Sequence, residues 1–506
     1  MPHVHMAPRW PLLLLLSACS ANYSDVGYLL WDPDRAAAAN DGLYVHLPYA
    51  GAVVRLQPDA EPTQVDLGGD QAIDVTALPD GEGVLVRTSR VRCEDEEVEP
   101  GDPIWRCASE DRISEVEASL VVDGAVTRSW DIRPELAPFQ ISPDSSFALA
   151  MVDPDAPRSG GGLVNLTAMR VLDLRSGDDW EVAIGFNASR IELLQDPDGL
   201  VTGALVLSEG EVAVVDLLTP SPEPSVVFPL SLDPDVRVVP SDVLVTPDGG
   251  YALITTAGSP DLYVLDLLNP AINIIALRGA PAAMALDAAG DRTFLVYPGQ
   301  PWIDAIDHAR FEITSWQTET GFDHVEVRDG FVLACTEPDG EEVWRLDPAT
   351  DELTEYQLNY SVGQLHVAPD SSFAMTTPRS GAAFELLDLQ PDAEGRLDDR
   401  ARPYGLDAAV ADAAFTEDAD GTSVLILQQG QPDVYQLRWP ALTAEPIELG
   451  APPRAIGAMP GGGFFITHEE ALGRVSFLSA DGALAEVAGF LTYDLLREPT
   501  LAGEEE

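Results

Sequence analysis

The sequence predicts an all-β chain assembled from repeats, on three observations. The first is a recurrent turn rich in Pro, Asp and Gly followed by about five apolar residues. It stands as "ISPDSSFALAMV" from Ile141, "VTPDGGYALITT" from Val245 and "VAPDSSFAMTTP" from Val367, with cousins from Ala77, Leu286 and Val327. The second is a following apolar run, as in "MRVLDL", "VAVVDL", "LYVLDL" and "FELLDL". The third is the near absence of helix-length amphipathic segments. Two weaker runs complete each repeat, whose period is about 41 residues and nearer about 50 where insertions enter. Four short strands at that spacing predict a single large β-propeller of four-stranded blades, with about ten repeats and seven to ten blades allowed. The runner-up is two smaller propellers, which no linker or composition break marks.

The elements follow in chain order. Residues 1–18 resemble a bacterial lipoprotein signal peptide: "MAPRWPLLLLLSAC" has one arginine, a short leucine run and the lipobox-like Leu16-Ser17-Ala18-Cys19. A thiol is needed there because the lipid is attached through sulfur, so the resemblance implies an acylated Cys19. The other readings are an ordinary secretory signal cut after a small residue and a membrane anchor. The leucine run falls short of the ~20 residues an anchor needs. Residues 19–40 are a tether with a lead-in strand, 41–496 the repeats, and 497–506 an acidic tail. An acidic insertion at 89–115 holds "CEDEEVEPGDPIWRC". A Cys93–Cys107 disulfide would close it and contribute roughly 3 kcal/mol. Metal binding is the rival, but two thiols at this spacing without a nearby histidine match no zinc pattern. Cys335, in "FVLACT", reads as a buried free thiol.

Composition narrows the partners. The formal net charge is −57, from 85 acidic and 28 basic residues, the latter all arginine. Such a field repels nucleic acids and anionic lipids, whereas the 45% hydrophobic content supplies a core. The acidity suits an acidic proteome or salty habitat, or else a surface for cations or basic partners.

The stretch "TPDGGYALITTAGSPDLYVLDL" resembles the YVTN-type repeat of lactonase-like β-propellers, across most of 78–480. It departs at the Tyr-Val-Thr-Asn strand, here "LITT", "LAMV" or "AMTT". The motif specifies blade folding rather than chemistry. No haem-attachment Cys-x-x-Cys-His, nucleophile elbow, P-loop or dinucleotide fingerprint occurs. "EDADGT" and "QDPDGL" hold an Asp-x-Asp-Gly core without the further ligands of a calcium loop, and both fall on blade turns.

One constellation is chemically distinctive. On the innermost strands of two consecutive repeats, His324 and Glu326, then Gln364 and His366, occupy positions that are small or apolar elsewhere, and Asp242 matches them one further blade away. Carboxylate beside histidine suits a divalent ion or proton exchange; a hydrogen-bonded plug in the channel is the other reading. The expected function is a lipid-anchored, monomeric binding or scaffolding protein on the periplasmic or cell-surface face of a bacterial membrane. Its partner would be a protein or envelope component, without nucleic acid and without a required cofactor. The alternative is a lactonase-like hydrolase with a divalent metal at the channel mouth.

Self-repulsion among the acids predicts salt stabilisation. Raising sodium chloride from about 0.1 M to about 1 M contracts the screening length from ~10 Å to ~3 Å. The melting temperature should rise over that range in calorimetry; a flat or falling curve contradicts the reading.

Overall fold

The computed structural model describes residues 31–491, apart from 49–50, 69–70, 94–111, 154–164, 232, 234–235, 288, 392–395, 419–420, 442, 471 and 481. The expected signal peptide, Cys19, Cys107 and the acidic tail lie outside the described residues. Among those residues every regular element is a strand, and no helix is long and apolar enough to cross a membrane. The strands form ten four-stranded sheets, each made of consecutive strands in the order first to fourth. These are the blades of a β-propeller, at the upper end of the count expected from the repeats. They are numbered here as sheets 1 to 10 in chain order.

The chain divides into two compact units, residues 1–133 with 465–506, and residues 134–464. In the first, sheets 1 and 2 begin with Ala36–Ala39 and Gln71–Ala77. The second and third strands of sheet 2, Val84–Cys93 and Arg112–Val122, stay paired out to Cys93 opposite Arg112. Regular structure therefore enters the segment expected to be an insertion. The first and last described segments meet within this unit. The Trp31 indole donates to the Glu470 carbonyl at 3.1 Å and packs edge-on against Phe490 at 5.2 Å. The Thr467 hydroxyl donates to the Pro33 carbonyl at 2.8 Å.

The second unit contains sheets 3 to 9, and sheet 5 shows why its apolar runs are unbroken. Its strands are Pro240–Val245, Tyr251–Thr256, Asp261–Asp266 and Ala271–Ala276. Successive side chains of a strand point to opposite faces. Ala252, Ile254, Tyr263 and Leu265 pack against Leu205, Leu207 and Phe228 of sheet 4. Leu253, Leu262 and Val264 pack against Leu295 and Tyr297 of sheet 6. Both faces are thus interior, so alternation with polar residues is absent, as in any doubly covered sheet. Sheet 7 repeats this, with Val332 and Ala334 toward sheet 6 and Leu333 and Cys335 toward sheet 8. Cys335 is free and fully buried, and burial pushes its thiol far above the usual range.

The turns have a common construction. After the first strand the backbone closes with Ser145 N to Ser142 O at 2.8 Å, Gly249 N to Thr246 O at 2.8 Å and Ser371 N to Ala368 O at 2.9 Å. The donor residue is left-handed each time, with φ of 55°, 65° and 55°. The turn carboxylate caps the next amides: Asp248 accepts from Gly250 N at 2.9 Å and from the Thr246 hydroxyl at 2.6 Å. Those bonds hold the Asp248 carboxyl below its ordinary range, the Thr246 hydroxyl contributing most. A second aspartate closes the third strand: Asp216, Asp266, Asp307 and Asp347 each accept two amides of the following turn. Many of the acids are therefore turn caps.

Gly290 and Gly249 separate backbone strain from packing. Both are left-handed, at 72° and 65°. A Cβ on Gly290 would lie 2.3 Å from the Pro247 ring of sheet 5, whereas one on Gly249 meets nothing nearer than 3.6 Å. Gly249→Ala should cost about 1–2 kcal/mol for the left-handed backbone alone. Gly290→Ala should cost a further ~1–3 kcal/mol for the clash. Urea denaturation of both variants checks the order; equal losses would contradict it.

Candidate functional site

In every sheet the start of the first strand, the end of the second and the start of the third lie at one end, opposite the Pro-Asp turns. In the second unit this end collects the chemistry-bearing side chains. The first strands of sheets 4 to 7 begin at Arg190, Pro240, Ala283 and His324, and those of sheets 8 and 9 at Gln364 and Val410.

Sheets 7 and 8 bring His324 and His366 toward one carboxylate, and it is Glu337. This residue sits on the turn between the second and third strands of sheet 7. Its amide donates to Asp323 Oδ1 at 2.7 Å. Its Oε1 accepts the amide of Leu365, beside His366, at 2.7 Å, and its Oε2 lies 4.0 Å from His324 Nδ1. Glu337 therefore ties the two histidine-bearing strands together. The Nε2 atoms of both histidines are buried without a hydrogen-bond partner. The His366 ring tilts against Phe415 of sheet 9 at 6.0 Å. Burial holds its pKa below 6.5, outweighing the opposing pull of Glu337, Asp412 and Glu326.

The other expected residues are placed differently. Glu326 pairs with Arg328 at 2.5 Å, although it lies close enough for its charge to act on His366. The Gln364 side chain is exposed. Asp242 belongs to sheet 5, with all of sheet 6 between it and His324, so it is two blades from His324 rather than one, and three from His366. The repeat count in "LRGAPAAMALDAAG" hides this, because the first strand of sheet 6 is only Ala283–Leu286. Asp242 instead forms an ion pair with Arg190 of sheet 4, which also approaches Glu192 at 3.6 Å. Burial raises the Glu192 carboxyl, with Arg190 opposing. Around this pair is a polar cleft of 360 Å³, lined by Ser241, Thr255, Thr256 and residues 281–284. Ser241 and Thr255 share a hydroxyl hydrogen bond of 2.9 Å.

Glu337, Asp412 and Arg190 escaped the sequence reading. "TEPDG" reads as one more Pro-Asp turn, which conceals a glutamate that crosses to the next sheet. Arg190 carried a usable signal, since it opens a first strand just as His324 does. Among the described residues no group of three His, Cys, Asp or Glu side chains is arranged to hold a metal ion. The arrangement can hold hydrogen-bonding groups and, at His366, exchange a proton. His308 is occupied, its two ring nitrogens 2.8 Å from the Thr293 hydroxyl and the Gly290 carbonyl.

No protein-family model matches the sequence, and no curated protein does. The resemblance to lactonase-like repeats therefore rests on the repeat motif alone. Among solved structures, the chain is similar to a eukaryotic initiation factor at 13% identity and a TM-score of 0.47, covering 74% of this chain and 87% of that one. It is similar to the dihydro-heme d1 dehydrogenase NirN at 14% identity and 0.44, covering 66% and 71%. Kuenenia stuttgartiensis hydrazine synthase follows at 15% identity and 0.32, covering 71% and 97%. At such identities the likeness concerns fold.

The pH response follows from the sign of the His366 shift. In the fold its proton is lost more readily than in the unfolded chain, so the unfolded state binds more protons below about pH 6.5. Stability should be full above that pH and fall on acidification, by at most about 1.4 kcal/mol per pH unit for this residue. His46, also held low chiefly by burial, adds a second contribution. His366→Gln should flatten part of the decline in melting temperature between about pH 7.5 and 5.5. An unchanged slope contradicts the assignment.

Proposed function

We propose that this chain is an exported, lipid-anchored β-propeller that binds a partner protein or another envelope component at a bacterial membrane. The observation that carries the reading is the state of three of its candidate carboxylates. Glu337 is committed to an amide of the next sheet, Asp242 to Arg190 and Glu326 to Arg328. Side chains bound in this way stiffen the rim of a rigid scaffold and leave little free carboxylate for general acid–base work. Rigid blades carrying variable loops suit binding. The anchor is Cys19, at the end of "LLLLLSAC", and a Cys93–Cys107 bridge accords with an oxidising compartment.

The test is membrane fractionation and cross-linking in bacterial cells. Wild type should partition with membranes, carry a lipid-modified Cys19 in mass spectrometry and give a cross-linked species of defined mass. Cys19→Ala should move to the soluble fraction. Membrane association with the first eighteen residues intact overturns the anchor, and a chain that cross-links to nothing in its native envelope overturns the binding role.

A further inference from the structure

The fourth strand forms the outer edge of each sheet, and open edges invite pairing with other chains unless charge or proline blunts them. Eight of the ten fourth strands here carry a charged residue or a proline. That of sheet 6, "ITSWQ", is largely polar. Sheet 5 departs from this rule. Its fourth strand, Ala271–Ala276, reads "AINIIA", with three isoleucines and neither charge nor proline. It lies within residues 267–286, a stretch without a single acid in a chain of 85.

The register identifies which of its backbone groups are free. Ala276 stands opposite Asp261, and the Leu277 amide donates to the Pro260 carbonyl at 2.8 Å. Bonded and non-bonded pairs alternate in an antiparallel ladder. Ala271, Asn273 and Ile275 therefore bond inward, and Ile272, Ile274 and Ala276 turn their N–H and C=O groups to the open side. No strand among the described residues pairs there. Ile274 is 58% exposed, and Leu268, in the turn leading to the strand, is 76% exposed. Sheet 4 places Leu218 at the matching turn position, 66% exposed. Exposed apolar groups beside an unblunted edge mark an interaction surface.

We propose that the outer edge of Ala271–Ala276 is the docking strand for an extended segment of a partner protein, apolar at its centre and basic at its ends. This rests on the binding role proposed above. The charge pattern sets the partner's chemistry. Asp266 and Asp261 stand opposite Ala271 and Ala276, at the two ends of the edge. Partner side chains there fall near the ~8 Å screening length of physiological salt. A second copy of this chain would bring another −57 charge to the contact and is disfavoured. Outward amides and carbonyls supply the hydrogen bonds of strand addition, and Ile274 supplies the apolar contact.

The test uses the full chain and the end-capped, fluorescein-labelled peptide KVTVTVK, read by anisotropy. Saturable binding is expected, weakened about tenfold or more by Ile274→Pro, which deletes an outward amide and costs no ladder bond. Ile274→Lys should weaken it similarly and guards against misfolding of the proline variant. The peptide EVTVTVE should bind less well than KVTVTVK. No binding of KVTVTVK, or binding indifferent to both substitutions, overturns the proposal. A dimer in sedimentation that Ile274→Lys dissolves assigns the edge to a second copy and overturns the choice of partner. Should the cellular cross-link survive in Ile274→Lys while peptide binding is lost or absent, the binding role stands and the docking strand falls. Loss of both together supports both.

Discussion

The burial of both faces of each sheet is the constraint on which the second unit depends. A sheet such as 5 holds Leu253 against sheet 6 and Ile254 against sheet 4, so neither neighbour can be removed without exposing one of its faces. A fully buried Leu or Ile contributes about 1.5–3 kcal/mol, and the two middle strands of sheet 5 bury three and four apolar residues in this way. Because the faces are spoken for, polar chemistry is displaced to the strand ends, the turns and the outer edges. The position of every site considered above follows from that displacement.

The same constraint organises the charge. Carboxylates that would be costly without partners in the middle strands are useful at the turns, where they accept amides that the sheet leaves unpaired. Asp266 and Asp307 at the third-strand ends, and Asp144 and Asp248 after the first strands, illustrate two such positions. Two buried carboxylates show what is needed to go deeper. Asp304 takes both forks of Arg278 and the Tyr297 hydroxyl. Glu385, fully buried, takes the Asn359 amide, the Asn359 side chain and the Tyr360 amide. Each charge is met by several donors, as burial demands.

At the strand-start end the second unit has two polar centres rather than one. Around sheets 4 to 6 the Arg190–Asp242 pair lines an open cleft, and around sheets 7 to 9 the histidines surround Glu337. Sheet 6 separates them because its first strand, "AMAL", contributes no polar group. The outer edge of sheet 5 belongs to different physics: it offers backbone groups and isoleucines where the other edges offer charge, proline or polarity. A rigid propeller can therefore hold rim and outer edge as independent surfaces.

The sequence by itself determined the class of fold, because turn chemistry and two-sided burial are local: "VTPDGG" fixes a left-handed glycine, and unbroken apolar runs require cover on both faces. It also singled out His324, Glu326, Gln364, His366 and Asp242, since polar residues stand out on strands that are otherwise apolar. Only the tertiary structure decided which of them meet. Glu337 reaches the histidines from a turn whose sequence looks purely structural, and Asp242 is drawn to Arg190, 52 residues away in sequence. Partners of that kind are set by which sheet lies beside which and by where a side chain finds the nearest opposite charge. Neither quantity has a period along the chain, so no pattern of residues announces them.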